Sequence, residues 1–266
     1  MAGRLEGKVA IVAGAGSVGP GWGNGRAIAY RFAQEGARVF AVDLSADALE
    51  ETVARVEQVG GDITTHLANV TVADEVERMV QACLDRYGRV DILVNNVGGS
   101  RKGGPVQLPE SDWDAQLDYN LKSVFLGCKY VLPAMTEQGG GAIVNIASTS
   151  GIRWTGSAQV GYASAKAGVI QLSRVVAIEH APKGIRCNTV IPGQLHTPMV
   201  ETRLAGQRSG GDVEKLLAER QSRIPLPFMG DGLDTANAVV FLASDEARFI
   251  TATELVVDGG MSARCD

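Results

Sequence analysis

The sequence predicts a doubly wound α/β fold, with a seven-stranded parallel sheet flanked by helices on both faces. Three observations point there. Short runs rich in Val, Ile and Ala alternate with longer stretches of helical periodicity, the pattern of repeated βαβ units. Those short runs are apolar almost throughout, as parallel strands covered on both faces must be. The first of them runs into a glycine-rich turn from which a helix emerges.

Taken in order, the first strand is residues 8–13, followed by the turn Gly14-Ala15-Gly16-Ser17-Val18-Gly19-Pro20-Gly21-Trp22-Gly23-Asn24-Gly25. A helix starts at about Arg26 and ends at Gly36, because glycine readily takes the left-handed conformation that closes a helix. The second strand, 38–43, follows at once and ends on Asp43, which is also placed to cap a helix beginning near Ala46. The third strand is 64–68. Residues 74–87 give the clearest helix, since Val76, Met79, Val80, Cys83 and Leu84 recur at three- and four-residue spacing and make one apolar stripe. Strands at 92–95, 142–147, 186–191 and 254–257 complete the sheet, with helices between most successive pairs. The glycine-rich stretches 98–105 and 206–211 read as mobile surface loops, the second placed like a lid over a ligand cleft.

The chain has 266 residues, 45% of them hydrophobic and 21% charged, which suits a globular protein with an ample core. We expect one domain over 1–266, with substrate-binding loops near 98–107, 152–160 and 195–224, since α/β folds often reach this length as one unit. A net charge of −5 without any run of Lys or Arg argues against a nucleic-acid partner. The first residues lack the apolar stretch of a signal peptide, and no segment has the eighteen or so apolar residues of a membrane span. A cytoplasmic location is expected, with no membrane partner. The four cysteines form no C-x-x-C pair and the three histidines lack ligand spacing, so reduced thiols and no metal site are expected.

A glycine turn between strand and helix lets backbone N–H groups approach a pyrophosphate at the positive end of the helix dipole. Asp43 stands where a carboxylate accepts hydrogen bonds from both adenosine-ribose hydroxyls and repels a 2′-phosphate, and no Arg or Lys follows it in Leu44-Ser45-Ala46. This Rossmann-type pattern favours NAD over NADP. Further along, Tyr162-Ala163-Ser164-Ala165-Lys166 puts a phenol and an ammonium four residues apart, on one helix face. An adjacent ammonium stabilises the phenolate and poises the tyrosine for proton exchange with an alcohol. Ser148 follows the fifth strand, at the sheet edge where open α/β folds bind ligands. No G-x-S-x-G elbow surrounds it, which excludes a serine hydrolase of the α/β type.

In these marks, the glycine turn, Asp43, Asn95-Asn96-Val97-Gly98, Asn120, Ser148, the Tyr162/Lys166 pair, Pro192-Gly193 and Val257-Asp258-Gly259-Gly260, the chain resembles the short-chain dehydrogenase/reductase family over nearly its whole length. The resemblance implies a catalytic tetrad at Asn120, Ser148, Tyr162 and Lys166. Tyr162 would be the general acid/base, and Ser148 would hold the substrate oxygen. Lys166 would lower the tyrosine pKa and grip the nicotinamide ribose. Asn120 would bend its helix and anchor a proton-relay water. The implied cofactor contacts are Gly14, Gly23, Asn24, Gly25, Asp43, Leu44, Asn69, Val70, Asn96, Val97, Gly98, Tyr162, Lys166, Pro192, Gly193 and Thr197. The glycine turn is about five residues longer than the usual form, with Pro20-Gly21-Trp22 inserted, and Asn69 stands where the family commonly has aspartate. For the substrate, Ser148 and Tyr162 are joined by Gln194 and by Trp154, read as an apolar wall, while Arg153 is placed to receive a substrate carboxylate. The implied activity is hydride transfer between NAD(H) and a secondary alcohol or ketone, by a homotetramer. Two alternatives are an NADPH-dependent reductase similar to the 3-oxoacyl-acyl-carrier-protein reductases and a non-catalytic NAD-binding scaffold.

Overall fold

The computed structural model describes residues 3–208 and 210–265. Its centre is a seven-stranded, wholly parallel sheet in the order β3-β2-β1-β4-β5-β6-β7. The strands are β1 Val9–Ala13, β2 Arg38–Asp43, β3 Asp62–Leu67, β4 Ile92–Asn95, β5 Gly141–Ile146, β6 Ile185–Pro192 and β7 Glu254–Val257. Their boundaries agree with the sequence reading to within two residues. The connecting helices are α1 Asn24–Gln34, α2 Ala46–Gln58, α3 Ala73–Tyr87, α4 Glu110–Leu117, α5 Ser123–Glu137, α6 Val160–His180, α7 Ala205–Arg208, α8 Val213–Gln221 and α9 Gly232–Ala243.

The side-chain period of a strand explains the layering. Along β1, Ala10 and Val12 face one side, packing with α1, α2 and α9 through Ile28, Phe32, Leu49 and Val239. Val9, Ile11 and Ala13 face the other, where α3, α5 and α6 contribute Val76, Met79, Val131 and Val169. Burying a side chain such as Phe32 or Ile11 contributes about 2–3 kcal/mol, so both faces must be apolar and the strand reads as a continuous run. Gly36, with φ +84°, follows α1 and lets the chain turn into β2, as expected. Gly88 plays the same part after α3, at φ +75°.

Two loops differ from what the sequence leads one to expect. The stretch expected to be a loop over 206–211 is partly helical, because α7 runs to Arg208; Gly210 and Gly211, both at positive φ, then turn the chain into α8. The segment 98–105 is pinned rather than free. Gly103 N donates to Ala158 O and Val160 N donates to Gly103 O, so this loop and the 152–160 loop are tied together.

Candidate active site

Between β1 and β4 the chain order reverses, and the connections leave to opposite faces, which opens a crevice beyond the carboxyl ends of the strands. A cleft of about 1090 Å³ lies there. It is bounded by the glycine turn and the ends of β2 to β6.

At its nucleotide end the turn is built around contacts that admit no side chain. Gly14 has φ +80° and donates its N–H to Val42 O at 2.8 Å. A Cβ on Gly25 would lie 1.7 Å from Gly14 O. Asn96 Nδ2 holds that same carbonyl at 2.8 Å, which explains why this asparagine follows β4. The first turn of α1 has Gly23 as N-cap, no capping side chain and no acidic residue. Its backbone N–H groups, bordered by Asn24 and Gly25, therefore face the cleft without an acceptor from a capping side chain, which fits an anionic pyrophosphate.

Asp43 accepts from Gly16 N at 3.0 Å and from Leu44 N at 2.8 Å, fixing its carboxylate against the turn. It does not cap α2, as the sequence allowed: Ser45 does, accepting from Ala48 N. Asn69 also lines the cleft, its Oδ1 accepting from Thr71 N and Oγ1 at 3.0 and 2.8 Å.

The inserted part of the turn has its own support. Arg26 is buried and donates from Nη1 to Gly19 O, Gly21 O and Glu51 Oε2, at 3.0, 2.7 and 2.6 Å. Glu51 also accepts from Gly21 N and pairs with Arg55, whose guanidinium lies 4.1 Å from the Trp22 ring centroid. Here one guanidinium replaces the missing strand or helix contacts of a long loop. Glu51→Gln is expected to lower stability by about 1–2 kcal/mol, read from urea unfolding, because the buried Arg26 keeps its carbonyl partners but loses its anion. An unchanged midpoint would show that the clamp does not stabilise the turn.

At the other end, Lys166 and Tyr162 stand one helical turn apart on α6, with Lys166 Nζ 5.9 Å from the tyrosine ring centroid. Lys166 is only 3% exposed, and burial lowers its pKa from 10.5 to about 8. One of its three N–H groups goes to Ile146 O at 2.8 Å, leaving two for other partners. Ser148, at the end of β5, accepts from Ser150 N at 3.2 Å, so its own O–H is available to donate. Beneath them a buried chain from Asn95 Nδ2 to Asn145 Oδ1, and from Asn145 Nδ2 to Ser173 Oγ, ties β4, β5 and α6 together.

Asn120 lies outside the cleft lining and is fully buried, in a π-helical turn, Asp118–Lys122, between α4 and α5. Its Nδ2 donates to Gln116 O and Gly99 O, each at 2.9 Å, and its Oδ1 accepts from Gly99 N at 3.1 Å. The helix distortion expected of it is present. A Cβ on Gly98 would lie 2.7 Å from Asn120 Oδ1 and 3.1 Å from Lys166 Nζ, so both atoms border one small space that only glycine leaves open.

Every residue expected to touch the cofactor lines this one cleft: Gly14, Gly23, Asn24 and Gly25 in the turn, Asp43, Leu44, Asn69 and Val70 at the adenosine side, and Asn96, Val97, Gly98, Tyr162, Lys166, Pro192, Gly193 and Thr197 beyond. Gly193 is required by the close approach of Asp258, whose Cβ would stand 2.5 Å from a Cβ there. Gln194 and Ser148 line a smaller chamber beside Tyr162. Trp154 does not. It is 71% exposed on the turn before α6 and lines neither cavity, so the apolar wall expected of it is absent. Arg153 is also occupied elsewhere, donating to Met261 O and Ser262 O in the C-terminal turn. His196 pairs with Glu201 at 2.8 Å on the surface. The sequence reading missed Ser100, Thr155 and Arg220, which meet Gln194 only because distant loops fold onto one another.

Comparison with known proteins agrees with this geometry. Residues 19–262 match the family model described as Enoyl-(Acyl carrier protein) reductase. The 3-oxoacyl-acyl-carrier-protein reductase of Thermotoga maritima is 40% identical, over 97% of this chain and 99% of its own length. A crystal structure from Burkholderia xenovorans, assigned to the short-chain dehydrogenases/reductases, superposes with a TM-score of 0.96 at 65% identity, covering 100% of both chains. Carveol dehydrogenase from Mycobacterium avium, solved in complex with NAD, gives a TM-score of 0.90 at 32% identity, covering 98% of this chain and 100% of its own. The chain belongs to the short-chain dehydrogenase/reductase family of oxidoreductases, whose members bind a nicotinamide cofactor. Among the described residues no helix is long and apolar enough to cross a membrane.

Proposed function

We propose that this protein is an NAD-dependent dehydrogenase/reductase that interconverts a secondary alcohol and its ketone. The observation that carries this reading is the buried Lys166 one turn from Tyr162, at one end of a cleft whose other end has the glycine turn and Asp43 suited to a dinucleotide. NAD, when bound, supplies the hydride acceptor of the nicotinamide ring. Ser148 donates its O–H to the substrate oxygen and holds it beside Tyr162. The phenolic oxygen of Tyr162 takes the hydroxyl proton during oxidation and returns it during reduction. Lys166 keeps positive charge beside that oxygen, and its two remaining N–H groups serve the nicotinamide ribose and a water in the space next to Asn120 Oδ1. Asn120 thereby positions the path along which the proton leaves. Thr197, with Pro192 and Gly193, would hold the carboxamide side of the nicotinamide.

The choice of NAD rests on charge. Asp43, Asp47, Glu50 and Glu51 line the adenosine end, and the cation there, Arg26, is already bonded to Glu51 and two carbonyls. A ribose phosphate placed among these carboxylates meets repulsion, and Arg26 is not free to offset it. Steady-state kinetics with both dinucleotides test the reading: kcat/KM with NAD should exceed that with NADP by about a hundredfold, and Asp43→Ala should narrow the gap about tenfold. A preference for NADPH would favour instead a carbonyl reductase like the 3-oxoacyl relative. Tight NAD binding without turnover of any alcohol or ketone would favour a scaffold. We also propose a homotetramer, supported by the exposed apolar residues Phe125, Val175 and Ile178 on α5 and α6 and Val256 on the edge strand β7.

A further inference from the structure

The small chamber beside Tyr162 has a volume of about 100 Å³ and a lining that is almost wholly polar, including Ser148, Ser150, Thr155, Gln159 and Gln194. Its internal hydrogen bonds leave a donor and an acceptor unmatched. Gln159 Nε2 spends its two N–H groups on Ser150 Oγ at 2.6 Å and Thr155 Oγ1 at 3.1 Å. Ser150 and Thr155 share a bond at 3.1 Å, which uses one of their two O–H groups. The other O–H is left over. Gln194 is 6% exposed; its Nε2 reaches only Thr155 O, at 3.4 Å, and its buried Oε1 accepts no hydrogen bond. A buried acceptor without a donor is costly, and native structures tolerate one chiefly where a water or ligand completes it.

The chamber thus offers an acceptor, Gln194 Oε1, and a donor, the spare hydroxyl of the Ser150/Thr155 pair, next to the atoms that hold the reacting oxygen. A hydroxyl group is the smallest function that answers both, donating to the first and accepting from the second. A hydrocarbon substituent would leave both unmet, and a thioester or ketone oxygen would leave Gln194 unmet. Resting on the function proposed above, we infer that the substrate is a vicinal hydroxy compound: a diol, or its hydroxyketone product, whose carbinol lies at Ser148 and Tyr162 while the neighbouring hydroxyl, which is not oxidised, is read by Gln194. The carbinol carbon loses a hydride to NAD and its O–H proton to Tyr162, so the balance is that of a simple alcohol oxidation. Gln194 acts on specificity and touches neither transferred hydrogen.

The test compares two probes of one ring size, cis-vicinal cyclohexanediol and cyclohexanol, as substrates of the intact protein with NAD. The expected wild-type preference for the diol in kcat/KM is about thirtyfold or more. In Gln194→Leu, which keeps the volume and removes the acceptor, the ratio should fall to within about threefold of unity. Gln194→Glu restores an acceptor at the same reach and should restore the preference, which separates a lost contact from a misfolded loop. A wild-type ratio near unity, or a Leu variant that keeps the wild-type ratio, overturns the inference while leaving the enzyme reading intact. Absence of turnover of both alcohols with NAD and with NADP overturns both.

Discussion

Replacing Tyr162 by phenylalanine is expected to lower kcat by about a thousandfold while leaving the dissociation constant for NAD within about twofold of wild type. The ring remains, so the cation of Lys166 keeps the aromatic neighbour it has at 5.9 Å, and the cleft wall is unchanged in shape. Only the hydroxyl that moves the substrate proton is lost. Its partners in the site do not take its place: Ser148 is an aliphatic alcohol that already accepts from Ser150 N, and Lys166 directs an N–H to Ile146 O. Steady-state turnover and calorimetric titration with NAD measure the two quantities separately. Turnover within tenfold of wild type would mean that another group carries the proton, and the proposed mechanism would fail.

The order and identity of the strands were legible in the sequence because parallel strands buried on both faces are apolar at every position, and a run such as Val9–Ala13 has no other reading beside a glycine turn. The nucleotide end was legible for a related reason. Gly14 takes a positive φ and Gly25 closes on Gly14 O within the same glycine turn, and Asp43 ends a strand whose neighbours are fixed. What escaped were groups assembled across sequence distance. The clamp of Arg26 on Glu51 joins residues that no periodicity relates, and in the sequence Arg26 reads only as the start of a helix. Arg220 comes to the chamber from α8 and Thr155 from the loop before α6. Trp154 shows the converse error. An aromatic residue in an irregular segment carries no alternation that says which way it faces, and this one faces water. Gln194 was found, because it follows Pro192-Gly193, but that its carbonyl is unmet follows only from the packing around Thr155.

Lys166 sets catalysis against stability, and its replacement should reveal both. Holding an ammonium in a site 3% exposed lowers its pKa from 10.5 to about 8, a difference that corresponds to a cost of about 3 kcal/mol whenever the chain folds with that group charged. The folded value lies below the unfolded one, so the cost is present in full below pH 8 and is relieved as the pH rises from 8 towards 10.5, where the unfolded chain binds the extra proton. Lys166→Met keeps an unbranched apolar stem and removes the charge. It is expected to reduce kcat about a thousandfold, since neither the phenol nor the proton path retains its cation. At pH 7 it should also raise the unfolding free energy by about 2 kcal/mol, the relief of burial being offset in part by Ile146 O losing its donor. The burial-raised thiols of Cys83, Cys128 and Cys187 lower stability of both proteins in alkali, so the quantity to read is the difference between variant and wild type in urea unfolding. That difference should shrink as the pH rises above 8. A variant less stable than wild type at pH 7, or a difference that does not change with pH, would mean that the cation is stabilised in its site and that the folded protein pays nothing for the group on which its chemistry depends.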